Sequence, residues 1–237
     1  MAKDQYPDAR PRSTQKEIDL FLKQVKQAPA VIKPGERGRL IFALDATLSR
    51  QPTWDHASHL QSEMFASTRD VGGLSIQLCY YRGFGEFEST PWLNNTEALL
   101  QTMNSVTCRA GHTQIERLLY HATTETRRDK VQAVVFIGDC VEEMVDRLFA
   151  LAGELGMLGT PVFMFQEGNE LVAKRTFKRI AELSGGAYSS FDSASAKILK
   201  DLLAAVAVYA SGGKKALEDF AQHKQGEILR LTDQVKR

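Results

Sequence analysis

Five oxygen-bearing side chains in three separate segments are the residues best placed by type and spacing to do chemistry. Asp45, Thr47 and Ser49 lie in "DATLS", Thr113 lies in "RAGHTQIERLL", and Asp139 follows the apolar run "AVVFIG". A donor set of carboxylates and hydroxyls, with no His or Cys among them, suits a hard divalent cation. Mg²⁺ is favoured because it takes few protein ligands and keeps several waters. In an extended segment residues i and i+2 project the same way, so Asp45, Thr47 and Ser49 can all address one ion. Helix capping is the competing reading for most of the set. Thr113 with Glu116, and Asp139 with Glu142, have the spacing of capping boxes, and Ser49 can help to start a helix after Pro52. Capping leaves Asp45 unexplained, because it ends an apolar run four residues short of any helix start.

Positioning three such segments requires a particular scaffold. Strand-like runs cover Leu40–Leu44, Leu74–Tyr81, Val131–Ile137, Pro161–Phe165 and Ala187–Ser190. Runs such as "AVVFIG" and "PVFMF" are apolar throughout, as in parallel strands covered on both faces. Helical patterns fall between them at 53–69, 92–103, 113–126, 141–157, 169–184 and 194–210. "GFGEFE" at 83–88 predicts a turn into an antiparallel edge strand. The alternation specifies an α/β fold, a doubly wound and mostly parallel sheet with helices on both faces. If the strand order is 3-2-1-4-5-6, the strands ending at Asp45 and Asp139 are neighbours at the switch point, and Thr113 enters the same crevice from above. We divide the chain into a flexible N-terminus (1–12), an N-terminal helical extension (13–37), the α/β domain (38–210) and a C-terminal helical extension (211–237).

"DATLS" resembles the Asp-x-Ser-x-Ser loop of the von Willebrand factor type A domain family, with Thr47 in place of the first Ser. Thr113 and Asp139 match, in order and position, the Thr and Asp that complete the family's metal-ion-dependent adhesion site. The likeness spans about residues 38–210 and suggests a cytoplasmic, prokaryotic-type member. It implies a Rossmann-like fold and a site made of Asp45, Thr47, Ser49, Thr113 and Asp139. The hydroxyls would contact Mg²⁺ directly, the carboxylates often through water, and Mn²⁺ or Ca²⁺ are the alternative ions. An open coordination position would take a Glu or Asp of a protein partner. The resemblance also points toward chaperone-type or ATPase assemblies as partners.

Other chemistry is poorly supported. The chain lacks a Walker motif, and "GFGEFE" does not continue as a dinucleotide fingerprint. No nucleophile–base pair adjoins the expected metal, so we expect a binding module and not an enzyme. A metal-dependent phosphatase or hydrolase using Asp45 is the catalytic alternative, although Thr47 stands where such an enzyme would want a second carboxylate. A third reading keeps the scaffold with a degenerate, unoccupied site. His56 and His59, three apart, have no third ligand in view, and His112 is placed to line the rim of the site.

The 237 residues carry a formal net charge of +1 and are 43% hydrophobic, values of an ordinary globular chain. They give no electrostatic reason to expect nucleic-acid or membrane binding. Cys79, Cys108 and Cys140 are odd in number and lack zinc or redox spacing. With no signal peptide in the first residues and no membrane-spanning run, they lead us to expect a cytoplasmic protein.

Overall fold

A computed structural model describes residues 15–28, 37–50, 73–191 and 201–213, with residues 216 and 219. The elements are α1 (Gln15–Gln27), β1 (Gly38–Asp45), β2 (Leu74–Arg82), β3 (Glu86–Ser89), α2 (Thr96–Ser105), α3 (Ile115–Arg128), β4 (Ala133–Gly138), α4 (Val145–Met157), β5 (Val162–Glu167), α5 (Leu171–Ser184), β6 (Tyr188–Phe191) and α6 (201–213). The predicted lead-in at 1–12, the helix at 53–69 with His56 and His59, and nearly all of the stretch 214–235 lie outside the described residues.

The six strands form one sheet in the order β3-β2-β1-β4-β5-β6. All neighbours are parallel except β2 and β3. This is the order on which the meeting of Asp45 and Asp139 was conditional, with the edge strand where "GFGEFE" placed it. Gly83 makes the turn possible: its φ of 60° lies in the left-handed region that other residues enter only at a cost.

Strand periodicity sorts β1 onto two cores. Leu40, Phe42 and Leu44 face one layer with Ile76, Leu78, Val135, Ile137, Phe163 and Phe165. Helices α1, α2 and α6 cover this layer through residues such as Phe21, Leu99, Met103, Val206 and Tyr209. Ile41 and Ala43 face the other, with Tyr81, Val134, Phe136 and Met164 beneath α3, α4 and α5. Residue by residue, burial on both sides explains why the central strands have no polar alternation.

The helix of the N-terminal extension packs into the core. The Phe21 ring stands 6.2 Å from Phe163 and 5.3 Å from Phe165, and both Phe21 and Val25 are fully buried. Helix α4 begins at Val145, four residues later than predicted, and the carboxylates of Glu142 and Glu143 just before it bind the segment leading into α3.

Candidate metal centre

β1 and β4 are adjacent and in register, with Leu44 opposite Ile137, so the residues just beyond them meet at the carboxyl edge of the sheet. Gly138 shows how closely. A Cβ there would clash with the Phe136 ring at 2.6 Å and would stand in ordinary contact, 3.7 Å, with Asp45 Cβ. At this edge one carboxylate oxygen each of Asp45 and Asp139, with the Cys140 sulfur, all lie within 4.8 Å of one another.

Asp45 is buried and held from two sides. Its Oδ1 accepts the Thr47 N–H at 2.7 Å and its Oδ2 accepts the Tyr81 hydroxyl at 3.2 Å. Burial, then the Asp45 charge, raises the Tyr81 phenol well above its ordinary range, so at neutral pH it serves as a donor. The turn that follows is short and helical (Leu48–Arg50). It brings Thr47 Oγ1 and Ser49 Oγ to 3.2 Å from one another, with Thr47 buried and Ser49 exposed.

The segment carrying Thr113 is fastened to the same edge. Arg109 N–H donates to the Ala46 carbonyl at 3.0 Å, and Thr47 and Arg109 form a parallel bridge. Gly111 is pressed on the β2–β3 turn, and an added Cβ would sit 2.0 Å from the Gly83 carbonyl oxygen. His112 N–H donates to that oxygen at 3.2 Å, and the His112 ring meets Phe84 edge-on at 5.1 Å. Arg109 and Arg82 both bind Glu86, at 2.9 and 2.8 Å, and the Arg82 hydrogen bond foremost holds the Glu86 carboxyl below its ordinary range.

Neither expected capping box forms. The cap residue of α3 is Gln114, that of α4 is Met144, and neither side chain caps its own helix. The acceptors for α3 come from the segment after β4. Glu143 takes the Ile115 and Glu116 N–H groups, both at 2.7 Å. Glu142 Oε2 accepts the Thr113 N–H, and Thr113 Oγ1 accepts the Glu142 N–H, each at 3.0 Å. Thr113 thus turns its hydroxyl toward the Asp139 segment, leaving one lone pair for another partner.

Asp139 is the unsatisfied member. Its Oδ1 is shut off from solvent and has no hydrogen-bond partner, an arrangement that is costly unless something else compensates the oxygen. The donor set fits a divalent cation for this reason. The carboxylates meet, one is braced by two donors, and the other keeps a buried oxygen free. Sequence reasoning missed Tyr81, hidden in an apolar strand, and Cys140, which lacks the spacing of a metal motif. It also assigned Glu142 to a local cap. Burial first, then the Asp139 charge, pushes the Cys140 thiol up to about 12.

No protein-family model matches the sequence, and no curated protein matches it significantly. Its shape does have counterparts. The SpRpn10 VWA domain superposes with a TM-score of 0.57 at 13% identity, over 71% of this chain and 94% of that one. Proximal thread matrix protein 1 from the mussel byssus, with a zinc-occupied MIDAS motif, gives 0.60 at 15% identity over 75% of this chain. Manganese-loaded Plasmodium vivax TRAP protein gives 0.55 at 16% identity, over 71% of this chain and 74% of that one. The chain spans 47% of the mussel protein. At these identities the likeness is one of architecture: the chain has the von Willebrand factor type A fold. Among the described residues no helix is long and apolar enough to cross a membrane.

Proposed function

We propose that the chain is a metal-dependent protein-binding module. In this reading a divalent cation at the carboxyl edge of the sheet captures a Glu or Asp side chain of a partner. The observation that carries it is the meeting of Asp45 and Asp139, with a buried Asp139 oxygen left unpartnered. Asp45, fixed by Thr47 N–H and Tyr81, would orient the cation's shell. Thr47 and Ser49 would supply hydroxyl oxygens, Asp139 the second negative charge, and Thr113 its remaining lone pair. Once bound, the cation supplies an open coordination position to which an anionic oxygen is drawn. The surroundings suit a protein surface: Leu48, Phe84 and Met144 stand out from the loops of this edge at 59%, 80% and 73% exposure.

The zinc named for the mussel protein adds that ion to Mg²⁺, Mn²⁺ and Ca²⁺ as candidates, and the manganese named for the Plasmodium protein favours Mn²⁺ among them. Three free cysteines accord with a reducing, cytoplasmic setting, where a chaperone-type or ATPase assembly is a fitting partner class. The test is affinity capture from the host extract with wild type and Asp45→Ala, each with and without EDTA. A partner lost with EDTA and with the variant is expected; capture that survives both contradicts the proposal.

A further inference from the structure

The cation site described above contains a donor that the oxygen-only reading omits. The Cys140 sulfur lies within 4.8 Å of carboxylate oxygens of both Asp45 and Asp139. It is partly buried, in a cluster where Asp139 keeps a buried carboxylate oxygen without a hydrogen-bond partner. Ligand atoms on one tetrahedral zinc, with bonds of about 2.0 Å to oxygen and 2.3 Å to sulfur, stand about 3.5 Å apart. Side-chain rotation alone could draw a cluster of this width onto a single ion. A thiolate is a poor ligand for Mg²⁺ and a good one for zinc, and zinc precedes Mn²⁺ and Mg²⁺ for mixed sulfur and oxygen donors. Cys79 and Cys108, buried elsewhere in the two cores, offer no such cluster among the described residues.

Resting on the metal-site reading above, we propose that Cys140 is a ligand of the cation and makes this a zinc-selective site. Asp139 and Cys140, consecutive after β4, supply one carboxylate and one sulfur from a single loop. Asp45 and the hydroxyls of "DATLS" supply the rest from its neighbour. Binding releases the thiol proton to solvent, since the coordinating form is the thiolate. The oxidation state of the sulfur does not change.

The experiment uses the full chain, reduced and metal-free, titrated anaerobically with Co²⁺ as a spectroscopic stand-in for zinc. Wild type is expected to show a thiolate-to-cobalt charge-transfer band that zinc displaces and that Cys140→Ser lacks. Zinc affinity is expected to fall at least about tenfold in Cys140→Ser, with the response to Mg²⁺ or Mn²⁺ retained. Circular dichroism confirms that each variant is folded. A wild type without the band, or a Cys140→Ser variant with unchanged zinc affinity, overturns the role of Cys140. If Mn²⁺ still binds in an Asp45-dependent manner, the metal site itself survives that result. A band that persists in Asp45→Ala with Asp139→Ala also overturns the proposal, because the thiol would then bind metal outside this site. If no divalent ion binds wild type at all, both the site and its selectivity fall.

Discussion

Thr113 and Glu142 bind one another twice. Thr113 N–H donates to the Glu142 carboxylate, and Glu142 N–H donates to the Thr113 hydroxyl, both at 3.0 Å. The pair joins the loop before α3 to the loop after β4, and Glu143 extends the clasp to the first turn of α3. Two of the three segments expected to form the metal site are therefore tied directly to one another.

Removing the helix-capping half of that clasp has a measurable cost. Glu143→Ala strips the acceptors from Ile115 N–H and Glu116 N–H. Loss of a cap costs about 1 kcal/mol, and a negative charge at a helix N-terminus contributes a little more. We expect Tm to fall by about 2–4 °C for a chain of this size, with Glu143→Gln recovering part of the loss. Equal melting of Glu143→Ala and wild type would contradict the geometry.

The two aspartates should behave oppositely in metal-free protein. Asp45→Ala leaves the buried Tyr81 hydroxyl without its acceptor, and an unsatisfied buried group costs about 1–3 kcal/mol. Asp139→Ala removes a carboxylate whose buried oxygen has no partner, so it is expected to be neutral or stabilising. Urea denaturation in EDTA compares them directly. A large loss in Asp139→Ala would mean that this carboxylate serves the fold.

Helix α1 is expected to be integral to folding. Phe21→Ala empties a space between Phe163 and Phe165, and such truncations cost about 3–5 kcal/mol. A change below about 1 kcal/mol in urea denaturation would show that α1 is only appended.

Much of the scaffold was legible because burial on both faces writes itself into the sequence. "AVVFIG" and "PVFMF" can satisfy few architectures other than the centre of a parallel sheet, and the intervening helices fix the connections. Asp45 and Asp139 were legible by the same logic, as polar residues at the carboxyl ends of such strands. What escaped were interactions between segments distant in the chain. Thr113 with Glu116, and Asp139 with Glu142, have the spacing of local caps, yet the carboxylate that serves the first turn of α3 is that of Glu143, 28 residues from Ile115 and 27 from Glu116. No local pattern encodes that choice. The burial of Phe21 was equally invisible, because an amphipathic helix does not name the surface it covers. Cys140 lacks the spacing of a metal motif, and only the fold brings its sulfur beside two carboxylates.

Acid sensitivity should include a contribution from His121. Burial lowers its folded pKa below the ordinary 6.5, with Glu125 opposing the shift. Above 6.5 the ring is neutral in both states and the associated stability is fully present. As pH falls below 6.5 the unfolded chain takes up the proton first, and stability is lost until the folded value is passed. Urea midpoints between pH 7.5 and 5.5 should therefore decline less in His121→Gln than in wild type. Parallel declines would contradict the assignment.

The central claim, a cation held between Asp45 and Asp139, is tested most directly by melting the metal-free chain with and without saturating Mn²⁺. A ligand at about a hundred times its Kd adds about 2.7 kcal/mol, or about 5–10 °C at this size. Wild type is expected to gain that shift, while Asp45→Ala combined with Asp139→Ala, still cooperatively folded, is expected to gain none. No shift in wild type, or an equal shift in the double variant, would contradict the claim.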